Sequence, residues 1–167
     1  DGACHCALCQ EAFRQWLKKK YGTLENLNSA WWNHFWSHTY TDWRQIHSPG
    51  PYGETTSTAL VLDWRRFSTE QISSFCELEI KTVKEASDLP ATTNFMDFFK
   101  GLDYNRMKKG LDIISWDSYP FWHEQKDEVP VAARTAANHS VMRALKKAPF
   151  LLMESTPSSI SWRNSNP

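Results

Sequence analysis

Apolar side chains return at Phe13, Trp16, Leu17 and Tyr21, the spacing of one face of a helix running from Gln10 to Tyr21. Lys18, Lys19 and Lys20 fill its last turn and Gly22 follows, so cations sit on the negative helix pole and a glycine supplies the cap. The lysine run therefore reads as a helix end and not as a binding patch. Thr23 can cap a second helix through Leu24, Leu27 and Trp31. Periodicity then stops. His34 to Trp43 is dense in aromatic rings without a face, and Ser48-Pro49-Gly50-Pro51-Tyr52-Gly53 is a turn region, so a ring-rich loop covers or borders something or packs as a satellite cluster. Helix resumes near Ser57 and runs toward Ala86, either unbroken or restarted at Ser68, which has capping-box spacing with Gln71; Leu89-Pro90 closes it. The chain then alternates: strand Ala91 to Met96, helix near Asp103 to Lys109, strand Asp112 to Trp116, helix Val131 to Lys146, strand Phe150 to Met153. That order predicts an α/β fold with a parallel sheet.

Phe150-Leu151-Leu152-Met153 is an uninterrupted apolar run, the pattern of a strand buried on both faces. Glu154 follows at its carboxyl end, where parallel α/β architectures build their sites. A lone Glu in that position is usually just solvated. Asn94 at the end of the first strand and Trp116-Asp117-Ser118-Tyr119 at the end of the second add polar and aromatic groups along the same rim, which favours a shared pocket. Three strands cannot close a barrel, so further strands are expected before and after this segment.

Composition narrows the choices. A length of 167 residues is expected to form one domain, and 19 basic against 19 acidic residues leave no field to gather nucleic acid or an anionic membrane. No apolar run approaches the roughly 18 residues of a membrane span, so the segment reads as soluble. It begins without Met, in the middle of a motif, and is expected to come from a longer chain. Nine Trp suit stacking on sugar rings, although filling cores is their ordinary use. Cys4, Cys6 and Cys9, spaced C-x-C-x-x-C, are too crowded to pair as disulfides and suit a tetrahedral metal, most naturally structural zinc with a fourth ligand upstream of Asp1. Unligated or redox-active thiols are the alternative. Cys76 falls in a helical pattern with Ile72, Phe75, Ile80 and Val83 and reads as a buried free thiol. His34, His38, His47, His123 and His139 show no ligand spacing, and no organic cofactor is indicated.

The Cys motif followed by Ala12-Phe13-Arg14, then Tyr21-Gly22-Thr23-Leu24, Phe35-Trp36-Ser37, Tyr40-Thr41-Asp42-Trp43, Leu62-Asp63, Arg65-Arg66-Phe67, Thr93-Asn94-Phe95-Met96, Ser115-Trp116-Asp117-Ser118-Tyr119-Pro120, Phe150 to Glu154, and Trp162 through Pro167 resembles the family 42 glycoside hydrolases, the bacterial β-galactosidases. The likeness extends over the whole segment. It implies a partial (β/α)8 TIM barrel, from after strand 4 to after strand 7, in which residues 1–167 are part of one catalytic domain and residues 1–9 are its zinc-cluster segment. It implies a cytoplasmic retaining galactosidase with Glu154 as nucleophile and an acid/base Glu just upstream of Asp1. Tyr119 falls on a position within reach of the nucleophile, Trp162 on one that lies against the galactose, and Trp36 on one that helps wall a neighbouring subunit's site in the family's homotrimers. Cys4, Cys6 and Cys9 fall on three ligands of the zinc cluster found in part of the family. Ser140 stands where relatives usually carry Asp. Lacking the acid/base Glu, the segment alone is expected to be inactive. Two other readings stay open: a retaining glycosidase of the same clan with another sugar specificity, and a non-catalytic zinc- and carbohydrate-binding module.

Overall fold

Helix α1 (Ala7–Tyr21) buries Phe13 and Leu17 completely and ends where Gly22, at φ 74°, returns its N–H to the Lys18 carbonyl at 2.9 Å. That left-handed backbone is the conformation for which the sequence supplies a glycine. Helix α2 (Leu24–Ala30) opens on Thr23, whose Oγ1 accepts the Asn26 N–H at 3.1 Å. Leu27 joins Phe13, Leu17, Trp31, Ile46, Leu60, Trp64 and Phe67 in one core. The structure is a computed structural model and describes residues 4–35, 37–51, 53–122 and 126–155. Its contacts cluster into two compact units, Asp1–Gln71 and Ile72–Pro167, and the boundary falls inside helix α3 (Thr58–Lys84).

The first unit is held by a buried carboxylate as well as by its rings. Asp63, with 1% of its side chain exposed, accepts hydrogen bonds from the Tyr21 hydroxyl at 2.6 Å, Trp31 Nε1 at 3.0 Å and Arg66 Nη1 at 3.0 Å, and pairs with the Lys20 ammonium. Burial alone would push its pKa up, but these donors more than offset it and the carboxyl lies below its usual range. Lys20 is thus recruited from the lysine run into the fold. The aromatic loop is tied down by buried Asn28, which donates to the Tyr40 carbonyl at 2.8 Å and accepts the Tyr40 N–H at 2.9 Å. Among the rings, Trp31 and Trp64 are core residues and Trp16 and Trp43 pack against the core, so most of the described Trp serve packing.

Helix α3 runs unbroken for 27 residues, so the potential restart at Ser68 is not used. Cys76 is partly buried against the second core, which is formed by Phe95, Met107, Leu111, Ile114, Trp116 and Met142. Beyond it come β1 (Asn94–Phe95), α4 (Tyr104–Met107), β2 (Ser115–Ser118), α5 (Val129–Lys146) and β3 (Leu151–Ser155). The strands lie parallel in the order β1-β2-β3, joined by helices, an arrangement consistent with part of the expected (β/α)8 barrel. Strand limits differ from those read in the sequence. Asp112 and Ile113 donate their N–H groups to the Ala91 carbonyl, and the Asp112 carboxylate accepts the Ala91 N–H at 2.7 Å. Those residues therefore close a loop instead of extending the ladder. Strand β3, expected to be buried on both faces, is exposed within this chain, with Leu151, Leu152 and Met153 at 46, 44 and 42%. It is an edge strand, and among the described residues no further strand pairs with it. No helix among the described residues is long and apolar enough to cross a membrane.

Candidate active site at the carboxyl end of the sheet

A strand's side chains alternate in direction, so neighbouring residues cannot both face one site. Ser115 pairs with Leu151 and Trp116 with Leu152, but Asp117 pairs with Glu154, because β3 carries Met153 as an extra residue at this point. Such a bulge shifts the alternation by one position and turns the next side chain to the opposite face. Glu154 is thereby placed on the face shared by Ser115 and Asp117. Tyr119 lies two residues beyond Asp117, and Asn94 pairs with Ser115, so both belong to that face as well. Trp116 points the other way, into the core.

The side chains meet at the strand ends. Glu154 is exposed at the open rim; its Oε2 accepts a short hydrogen bond from the Tyr119 hydroxyl, and its Oε1 accepts one from Asn94 Nδ2 at 3.3 Å. The same Asn94 nitrogen donates to Asp117 Oδ1 and Oδ2 at 3.0 and 3.2 Å. The hydrogen bond to Glu154 pushes the Tyr119 hydroxyl up to about 12, so it remains a donor through the whole neutral and mildly alkaline range. Asp117 holds its proton more tightly than an ordinary Asp, first through burial and also through the neighbouring charge of Glu154. A phenol and an amide donating to the two oxygens of one carboxylate hold it aimed and open on its remaining side, an arrangement suited to nucleophilic attack or to electrostatic stabilisation of a cation.

The exit from β1 is braced from behind. Asp97 accepts from Asn138 Nδ2 at 2.6 Å and Arg134 Nε at 2.9 Å, both on α5, while the Tyr104 hydroxyl donates to the Met96 and Asp97 carbonyls at 3.0 Å. Sequence reasoning missed this brace, whose partners lie 37 and 41 residues apart without a shared period. Ser140 donates to the Ala136 carbonyl at 2.8 Å, an ordinary helix back-bond. Trp36 and Trp162 lie outside the described residues. The aromatic loop borders an open cavity of about 780 Å³ lined by Trp31, Trp32, Phe35, His38, Glu54 and Leu62, with His38 Nδ1 3.3 Å from a Glu54 oxygen.

The sulfur atoms of Cys4, Cys6 and Cys9 lie within 4.8 Å of one another. The edge of a tetrahedron with Zn–S bonds of 2.3 Å is about 3.8 Å, so three corners of such a site are nearly in place. Backbone N–H groups at the start of α1, that of Cys9 foremost, bring the Cys6 thiol down to about 7, whereas its bond with Cys4, followed by burial, raises Cys9 to about 12. The Cys6 thiolate is stabilised at the expense of Cys9, and a cation held between the sulfurs would offset that opposition. The donor set fits zinc. His5 is not part of it: its Nδ1 meets Ser48 Oγ at 2.7 Å and its ring stacks on Trp64 at 5.2 Å.

The sequence model of glycoside hydrolase family 42, described as β-galactosidase, matches residues 1–167. The chain is 58% identical to β-galactosidase BglY of Alicyclobacillus acidocaldarius over 97% of its own length and 24% of that protein, and 51% identical to β-galactosidase GanA of Bacillus subtilis over 99% and 26%. Among solved structures it superposes on the β-galactosidase of Rahnella sp. R3 with a TM-score of 0.93 and 54% identity, covering 99% of this chain and 25% of that one. It superposes equally on a catalytic Glu-to-Ala mutant of a family 42 β-galactosidase from G. stearothermophilus, with a TM-score of 0.92 and 52% identity over 99% of this chain and 25% of the other. The chain spans about a quarter of the length of the relatives it matches. With the family model matched from the first residue to the last, the chain belongs to glycoside hydrolase family 42.

Proposed function

We propose that this chain is part of a retaining β-galactosidase in which Glu154 is the nucleophile. The observation that carries the reading is the Glu154 carboxylate, held by Tyr119 on one oxygen and Asn94 on the other at the carboxyl ends of three parallel strands. In the complete enzyme Glu154 attacks the anomeric carbon of a terminal β-galactosyl residue while a second carboxyl, outside residues 1–167, protonates the departing oxygen. Water then displaces the ester with help from that second carboxyl. Retention requires the two groups to stand about 5 Å apart. The family resemblance assigns Trp162 a place against the sugar and Trp36 one in the wall of a neighbouring site of a homotrimer, both outside the described residues. A panel of aryl β-glycosides offered to the full-length protein tests the reading. The galactoside should be turned over fastest, with the β-anomer of galactose as first product by NMR. Preference for another sugar, or an α-anomer first, would contradict it.

Cys4, Cys6 and Cys9 supply three ligands of a structural zinc, the fourth coming from outside this segment. The metal would tie the start of α1 to a distant part of the chain and takes no part in the chemistry. Elemental analysis of the full-length protein should give about one zinc per chain, with Cys6→Ser losing the metal and unfolding at lower temperature. Metal-free wild type with unaltered Tm would reject the site. Binding energies of structural zinc reach ~10 kcal/mol or more in small domains, so the shift should be readily measurable.

A further inference from the structure

We propose that Asn94 and Asp117 position the Glu154 carboxylate, Asn94 by donating its amide to Oε1 and Asp117 by fixing which way that amide faces. The inference rests on the nucleophile reading of Glu154. Asn94 Nδ2 stands 3.3 Å from Glu154 Oε1 and 3.0 and 3.2 Å from the two oxygens of Asp117. A side-chain amide has two hydrogens, so one can serve each carboxylate. Turned over, the amide would set its carbonyl oxygen against two anions, so Asp117 selects the orientation in which Asn94 is a donor to Glu154. The bulge at Met153 is what makes this possible, since it pairs Glu154 with Asp117 and so brings both within reach of Asn94.

The bond acts unequally on the two halves of the reaction. A hydrogen bond to a carboxylate is stronger than one to its ester. Forming the glycosyl ester therefore weakens the Asn94 contact, which offsets the benefit of better aim. During hydrolysis of the ester, water adds to the anomeric carbon and gives its proton to the second carboxyl. The bond from the anomeric carbon to the Glu154 oxygen breaks, and its electron pair returns to the carboxylate, where Asn94 receives the developing charge. Asn94 thus favours the second step, and Asp117 acts through it as a positioning residue.

The test uses the full-length enzyme and a dinitrophenyl β-galactoside, whose good leaving group makes the first step fast. Asn94→Ala should lower kcat roughly 10- to 100-fold, the range of a hydrogen bond to a charged group, with KM falling alongside and a pre-steady-state burst of dinitrophenol. Near-isosteric Asn94→Asp replaces the donor with an acceptor and should slow at least as much, which covers the case in which the alanine variant does not fold. Asp117→Ala should slow the same step less, and the double variant should be no slower than Asn94→Ala. Wild-type kcat in Asn94→Asp, or a rise in KM without a fall in kcat, overturns the proposal, and an additive loss in the double variant overturns the part given to Asp117. Glu154→Gln, measured in parallel, separates the failures. If it turns over normally the nucleophile reading fails, whereas if it is inactive while Asn94→Asp is unaffected only the positioning role fails.

Discussion

Glu154→Gln in the full-length enzyme should lower kcat on aryl β-galactosides by on the order of 10⁵-fold while galactose still binds, because the amide keeps the shape of the side chain but cannot form the glycosyl ester. Tyr119 remains a donor to the amide oxygen, and only the Asn94 contact is lost because the amide nitrogen cannot accept from Asn94 Nδ2, so the loss of turnover is chiefly chemical. Glu154→Gly removes the side chain and leaves room for an external anion. Azide should restore turnover and yield the α-galactosyl azide, since it enters from the face that Glu154 occupied. A β-azide would mean that the missing group was the proton donor, and normal hydrolysis by Glu154→Gln would exclude Glu154 from the reaction altogether.

Asp63→Ala should have the largest effect on stability. The carboxylate is 1% exposed and accepts from Lys20, Tyr21, Trp31 and Arg66, so truncation leaves Lys20 and the half-buried Tyr21 hydroxyl without this acceptor and Trp31 Nε1 with only its 3.1 Å bond to the Tyr21 hydroxyl. Breaking a buried charged network by removing one partner costs about 3–5 kcal/mol. Denaturant unfolding of the full-length protein should show a lower midpoint; a change below about 1 kcal/mol would show that these bonds contribute little. The same group links stability to pH. Its folded pKa is depressed, so its contribution is fully present above the unfolded value of about 3.9 and is lost as pH falls through the lower folded value. Wild type should therefore lose stability on acidification below about pH 4 more steeply than Asp63→Ala.

The helices α1 and α2 could be read from the chain because their signals are local: a 3.6-residue period, Thr23 at one end and Gly22 at another. The strands were readable in number and order but not in extent, because a ladder is settled between segments, and Asp112 and Ile113 were taken by Ala91 instead. The rim of polar strand ends was legible for the same reason as the order. What turns Glu154 toward that rim is not. Simple alternation from Leu151 would have put Met153 on the inner face and Glu154 outside, and the bulge that reverses this depends on register with β2, which no single-strand pattern contains. The contact between Tyr119 and Glu154 came only from the resemblance, and the Asp97 brace to Arg134 and Asn138 had no signal, since its members are polar residues far apart in a helix and a loop. The many Trp were ambiguous by composition, and packing resolved most of the described ones into cores.

A covalent label gives the most direct test. Incubated with 2-deoxy-2-fluoro-β-D-galactosyl fluoride, which forms the ester but hydrolyses slowly, the full-length enzyme should gain one fluorogalactosyl group, and peptide mass spectrometry should locate it on Glu154. An adduct on another carboxylate would contradict the account, as would complete absence of an adduct in an enzyme that still cleaves galactosides.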